Sequence, residues 1–247
     1  MRQTLLAATI AKQLDAGVST IMFVGVESAE EVRQGLAAMR FASNGGTRPD
    51  VVGRAPAYWG VSDAEYRRKA DLWPLNPEGE LLNWTIVESH EGLAHVREIA
   101  AVEGIGVLWP GAGTLRGLFS STNAAGERTL DVEAWENSIQ TVLAACKEFD
   151  IPCGYPANAS DIEMRMQQGF SVFVCSWVNP EADKAGYGFD DYLEMGIYRA
   201  IDKVREQCGT DTVNTVGYCI GGTLMGAALG HMAATGRKDG GATTFFA

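Results

Sequence analysis

Positive charge is scarce in this chain. Its 31 Asp and Glu outnumber 20 Lys and Arg and leave a net charge of -11 at pH 7, an excess that repels phosphate backbones and anionic lipid. Nucleic acids and membrane surfaces are therefore not the expected partners. No uncharged apolar run approaches the length of a membrane span. The opening MRQTLLAATIAKQLDAG puts Lys12 and Asp15 where a secretory apolar region would have to continue, and no small-residue cleavage pattern follows. A cytoplasmic protein is the expectation, and the sequons at Asn83 and Asn158 are then chance matches. The five cysteines, Cys146, Cys153, Cys175, Cys208 and Cys219, form a scattered set without a C-x-x-C pair. Reduced thiols are expected. Internal repeats and low-complexity tracts are absent.

What is present is the composition of a globular protein, 46% hydrophobic and 21% charged over 247 residues. Apolar runs of strand length alternate with helical patterns, which predicts an α/β protein with a mainly parallel sheet. Thr4 to Asp15 reads as a helix stopped by Gly17, STIMFVGV as a buried strand, and Ser28 to Arg40 as a helix with Ser28 as N-cap and Glu31 at the capping-box position. A polar stretch from Ser43 to Pro77 reads as a long loop holding one short helix, Ser62 to Lys69. Strands follow at Asn83 to Glu88, Ile105 to Trp109 and Ile151 to Tyr155, separated by helices at Glu91 to Val102 and Val132 to Phe149 and followed by one at Ser160 to Gln168. After Phe170 come the strand SVFVCSW, a helix from Phe189 to Gln207, the strand TVNTVG, a Gly-led helix from Gly221 and a final apolar run.

In a parallel barrel, chemistry sits at the C-terminal ends of strands. Glu88 closes the strand NWTIVE and stands where a catalytic or metal-binding carboxylate would stand. The next strand ends in Trp109-Pro110-Gly111-Ala112-Gly113-Thr114, whose glycines let backbone N–H groups approach a carboxylate or phosphate, or merely make a tight turn. Gly111-x-Gly113 imitates a dinucleotide fingerprint, but Gly117 falls one residue too late and Leu118 to Asn123 are not expected to open a helix.

The stretches LDAGVSTIMFVGVESAEEVRQGLAAMRF, LLNWTIVESHEGLAHVREIAAVEGIGVLWPGAGTL and IPCGYPANASDIEMRMQQGF resemble the HpcH/HpaI family of class II aldolases and citrate lyases, to about Phe170. The resemblance implies a partial (β/α)8 TIM barrel over residues 1–170 that acts on a 2-oxo acid such as pyruvate. It also implies Mg2+ or Mn2+ as Lewis acid for the enolate, with Glu88 as metal ligand and Gly111, Ala112, Gly113 and Thr114 as substrate-binding residues. Thr114 occupies the place of the family's second metal carboxylate, and Asp131 is too far along to replace it. The strands carrying the family's His and Arg should precede the first helix; His90 and His95 read as solvated residues.

Near the C-terminus a strand runs into Gly217-Tyr218-Cys219-Ile220-Gly221, a G-x-C-x-G nucleophile elbow. A thiolate there is favoured by the helix dipole, although a buried structural cysteine in a βα turn fits the same pattern. The surrounding VFVCSWVNPEADKAGYGFDDYLEMGIYRAIDKV and VNTVGYCIGGTLMGAALGHMAA resemble the polyhydroxyalkanoate synthases. That resemblance implies a partial α/β-hydrolase segment over residues 171–247, with Cys219 as catalytic nucleophile of an acyltransferase and hydroxyacyl-coenzyme A as partner. His231, the one later histidine, sits on the helix leaving the elbow and should point away from the thiol. Three readings remain open: a carbon-carbon lyase, an acyltransferase, and a chimeric fragment without activity, each compatible with a homo-oligomer.

Overall fold

The computed structural model describes residues 2–124, 126–157, 160–173, 181–218 and 220–246. Its contacts divide the chain into two compact units, Met1–Ser176 and Trp177–Ala247.

The first unit begins with helix α1 (Arg2–Asp15), strand β1 (Thr20–Phe23) and helix α2 (Ala29–Met39). Ser28 caps α2 as expected, its hydroxyl accepting the Glu31 N–H at 3.3 Å. The Glu31 carboxylate bonds the Glu27 N–H at 2.9 Å, one residue before the N-cap. The long connection that follows holds α3 (Ala55–Trp59), α4 (Asp63–Lys69) and the two-residue β2 (Leu72–Trp73). Then come β3 (Leu81–Val87), α5 (His90–Ala94), α6 (Val96–Ala100), β4 (Val107–Pro110), α7 (Ala112–Leu118), the hairpin β5 (Ser120–Thr122) and β6 (Arg128–Leu130), α8 (Val132–Glu148), β7 (Gly154–Tyr155), α9 (Ile162–Gln168) and β8 (Val172–Phe173).

β3 is the centre of this unit. It pairs in parallel with β1 on one side (Met22↔Trp84) and with β4 on the other (Ile86↔Trp109). A parallel bridge from Leu108 to Cys153 continues the order to β7, which pairs with β8. The result is a parallel arc β1-β3-β4-β7-β8, and among the described residues no pairing returns from β8 to β1. Alternate residues of β3 explain its two faces. Leu81, Asn83, Thr85 and Val87 are buried, and the two polar ones among them are satisfied: the Asn83 amide donates to Ile21 O and the Thr85 hydroxyl to Asn83 Oδ1 at 2.8 Å. On the other face Trp84 stacks on Trp109, with centroids 5.6 Å apart and half-buried Ile86 beside them.

Two expectations change here. Cys146 and Cys153 are not free thiols: they form a disulfide with Cα atoms 5.7 Å apart, because the end of α8 turns back into the chain leading to β7 and buries both. The stretch from Gly111 to Thr114, expected as a loop, begins a helix, α7, which buries Ala112 and Leu115, whereas Leu118 to Asn123 open no helix, as expected.

The second unit holds α10 (Phe189–Tyr192), a π-helical turn (Leu193–Tyr198), α11 (Arg199–Cys208), β9 (Val213–Tyr218), α12 (Ile220–Thr235) and β10 (Gly240–Phe246). β9 and β10 pair in parallel. Leu193, Tyr198, Ile201, Met225, Ala228 and Met232 form its buried core. The strand–helix passage at Gly217 and Gly222 is close: a side chain on Gly217 would stand 2.6 Å from the Gly222 Cα. That contact accounts for glycine at position 217.

Candidate active site

Glu88 follows β3 directly, half-buried at the C-terminal edge of the arc. The loops leaving the two flanking strands meet it. The Gly111 N–H bonds Val87 O at 2.9 Å and the Val26 N–H bonds Ile86 O at 3.1 Å, so both loops are held to the end of β3. A methyl group on Gly111 would lie 2.6 Å from both Cβ and Oε2 of Glu88, and one on Gly25 would lie 3.8 Å from Oε1. Gly111 is therefore required by the carboxylate's position. Gly25, at φ +64, supplies the opposite wall through a backbone turn that other residues rarely adopt. Sequence reasoning missed Gly25; its place just past the end of a buried strand was the available signal.

Gly111 is the N-cap of α7, and Ala112, Gly113 and Thr114 form its first turn. The backbone N–H groups of such a turn have no partner within the helix. The expected loop is thus a helix start, with Ala112 buried and Gly113 and Thr114 exposed. The Trp135 indole N–H fixes it by bonding Ala112 O at 2.9 Å. Asp131 caps α8 through the Ala134 N–H at 2.9 Å. His90 packs edge-on to Phe119 at 5.4 Å. His95 is more engaged than a solvated residue: its Nδ1 lies 3.1 Å from Glu27 O and 3.5 Å from a Glu91 oxygen.

Mg2+ takes six oxygen ligands, usually one or two carboxylates with several waters. Glu88 is the one carboxylate that the sequence assigns here, Thr114 carries no charge, and no group of three His, Cys, Asp or Glu side chains among the described residues could hold a metal. Among the described residues Glu88 is thus the single anionic ligand this edge offers to Mg2+ or Mn2+.

In the second unit, Cys219 lies outside the described residues. His231 is engaged by another partner, its Nδ1 standing 2.7 Å from the Tyr198 hydroxyl. The Arg237 guanidinium lies 4.5 Å above the Tyr198 ring.

A carboxylate at the C-terminal end of a parallel strand, walled by the loops of its two neighbours, is the layout of the (β/α)-barrel class. The sequence profile of the HpcH/HpaI aldolase/citrate lyase family matches residues 2–167, and the chain belongs to that family. The hydroxypyruvate/pyruvate aldolase of Delftia acidovorans is 34% identical over 193 residues, covering 77% of this chain and 65% of the relative. An HpcH/HpaI aldolase/citrate lyase family structure from Burkholderia cenocepacia covers 81% of this chain and 70% of that one at a TM-score of 0.56 and 22% identity, a likeness of fold. The poly(3-hydroxyalkanoate) polymerase subunit PhaC of Cupriavidus necator is 42% identical over 79 residues, or 32% of this chain. The chain spans only 13% of that polymerase. Among the described residues no helix is long and apolar enough to cross a membrane.

Proposed function

We propose that residues 1–170 are an aldolase-type carbon-carbon lyase domain that takes a 2-oxo acid such as pyruvate. The observation that carries this reading is the Glu88 carboxylate held against Gly111 at the start of α7. The first-turn N–H groups of Ala112, Gly113 and Thr114 supply donors for a substrate carboxylate. Glu88 beside them would take the hydroxyl proton as the bond between the aldehyde carbon and the carbon next to the ketone breaks. The products are an aldehyde and the enolate of a 2-oxo acid, which is then protonated. The 34% identity with a hydroxypyruvate/pyruvate aldolase supports the substrate class.

The test is release of pyruvate from a 4-hydroxy-2-oxo acid, coupled to a pyruvate-consuming dehydrogenase, with and without added Mg2+. Turnover lost in Glu88→Gln, with the fold intact by circular dichroism, supports the reading. Absence of pyruvate from the unaltered protein overturns it.

A second reading has its own observation. The 42% identity with PhaC and the Gly217–Gly222 approach support residues 171–247 as a polyester-synthase-like acyltransferase segment with Cys219 as acyl carrier. Incubation with a hydroxyacyl-coenzyme A should add one acyl group, absent from Cys219→Ser. Silence of both halves would leave the chain a chimeric fragment without activity.

A further inference from the structure

The sequence predicts one helix from Glu91 to Val102, but the chain leaves helical geometry at His95 (φ -107, ψ 13), which closes α5 and opens α6. From this break the side chain reaches the loop that follows β1, and its Nδ1 stands 3.1 Å from Glu27 O. A carbonyl only accepts, so Nδ1 carries the proton and donates. The turn made by Gly25, Val26 and Glu27 is held from three sides. The Val26 N–H bonds Ile86 O of β3 at 3.1 Å, the Glu27 N–H bonds Glu31 Oε2 of α2 at 2.9 Å, and His95 takes the Glu27 carbonyl. Gly92 of α5 packs so closely on the turn that a methyl group there would lie 2.5 Å from Val26 O. Both polar groups of the Glu27 backbone thus end on side chains, two residues from the Gly25 that walls Glu88.

We propose that His95 is a positioning residue for Glu88: its Nδ1–H sets the turn from Gly25 to Glu27, and the turn sets where the carboxylate stands. For its catalytic meaning this rests on the lyase reading, which it deepens. The sheet bond at Val26 fixes one point of the turn and leaves it free to swing about that point. The His95 bond at Glu27 supplies the second point, and with both in place Gly25 cannot draw back from Glu88. A general base has to be held to within about 0.5 Å of its productive place, and a displacement of about 1 Å costs on the order of a hundredfold in rate. The substrate carboxylate is assigned to the first turn of α7, on the side of Glu88 opposite to Gly25. Loss of the His95 bond should therefore slow the chemical step and leave substrate binding nearly unchanged.

Three variants of the full chain separate the donor from the bulk of the ring. His95→Asn keeps an amide N–H where Nδ1 stood, His95→Gln carries its amide where Nε2 stood, and His95→Ala has none. Pyruvate release is measured for each, and carbon NMR of the Glu88 carboxyl is recorded on the same samples without substrate. In His95→Ala and His95→Gln, kcat should fall about tenfold or more at nearly unchanged KM, and the Glu88 resonance should move. His95→Asn should restore both. Nitrogen NMR of the unaltered protein should find the proton of the neutral His95 ring on Nδ1. If the unaltered protein releases no pyruvate, the lyase reading falls, and the Glu88 resonance across the three variants decides the positioning role by itself. Should His95→Ala fail to fold, the Asn and Gln variants decide. A Glu88 resonance that stays in place in His95→Gln, a loss in KM instead of kcat, no recovery in His95→Asn, or a proton on Nε2 would each overturn the proposal.

Discussion

Arg165 and Glu136 meet through two hydrogen bonds, Nη1 to Oε1 at 2.6 Å and Nη2 to Oε2 at 2.7 Å. The guanidinium is almost wholly buried, 4.4 Å over the Tyr155 ring, so the pair ties α9 to α8 and to β7 at once. Removing one partner leaves a buried charge unpaired. Glu136→Ala should therefore destabilise the first unit by roughly 3 kcal/mol. The double variant Arg165→Met with Glu136→Leu should recover most of that loss. Urea unfolding of the two singles and the double measures the coupling.

Acid should weaken the same unit. Hydrogen bonds from Arg165 hold the Glu136 carboxyl below its ordinary range, outweighing its burial. For Asp71 burial is the largest influence and pushes upward, but Arg40, the Leu72 N–H and Asn76 together hold it below the usual carboxylate value. Both groups are lowered in the folded state. Their stabilisation is complete above the unfolded values of about 4 and is lost as pH falls through the folded ones. Melting temperature should be flat from pH 7 to about 5 and fall below about 4, with a shallower fall in Asp71→Asn.

The Cys146–Cys153 pair makes a redox prediction. Both sulfurs are buried, so the native disulfide should resist mild reductant and yield only on unfolding. A loop of this length gives a chain-entropy stabilisation of about 2–2.5 kcal/mol. Cys146→Ser with Cys153→Ser should lose about that much in urea, and alkylation of the denatured, unreduced protein should leave these two residues unlabelled by mass spectrometry.

Gly111→Ala tests the candidate site without touching a charged group. Its methyl would stand 2.6 Å from the Glu88 carboxylate and must displace it. Pyruvate release should fall at least tenfold, on the order of 1.4 kcal/mol in transition-state stabilisation, with little change in melting temperature. Gly186→Ala, in the second unit, which likewise meets nothing within 4 Å, is the matched control.

The strand that begins near Asn83, the Ser28 cap and the position of Glu88 were legible in the sequence. Strand periodicity, capping and strand-end placement depend on residues close together in the chain. The family resemblance was legible for a related reason, since it is carried by short stretches whose order and spacing survive in one dimension.

What only the tertiary structure decided are relations between distant segments. Gly25 walls Glu88 because β1 lies beside β3, although the two residues are far apart in the chain. The start of α7 is set by the Gly111 turn against Val87 and by the Trp135 anchor, neither of which is local to it. Cys146 and Cys153 looked like free thiols because nothing in their spacing shows that the end of α8 folds back toward β7. Local pattern fixed the elements. The long-range pairing of a parallel sheet, in which sequence neighbours are kept apart by crossover helices, fixed which residues meet.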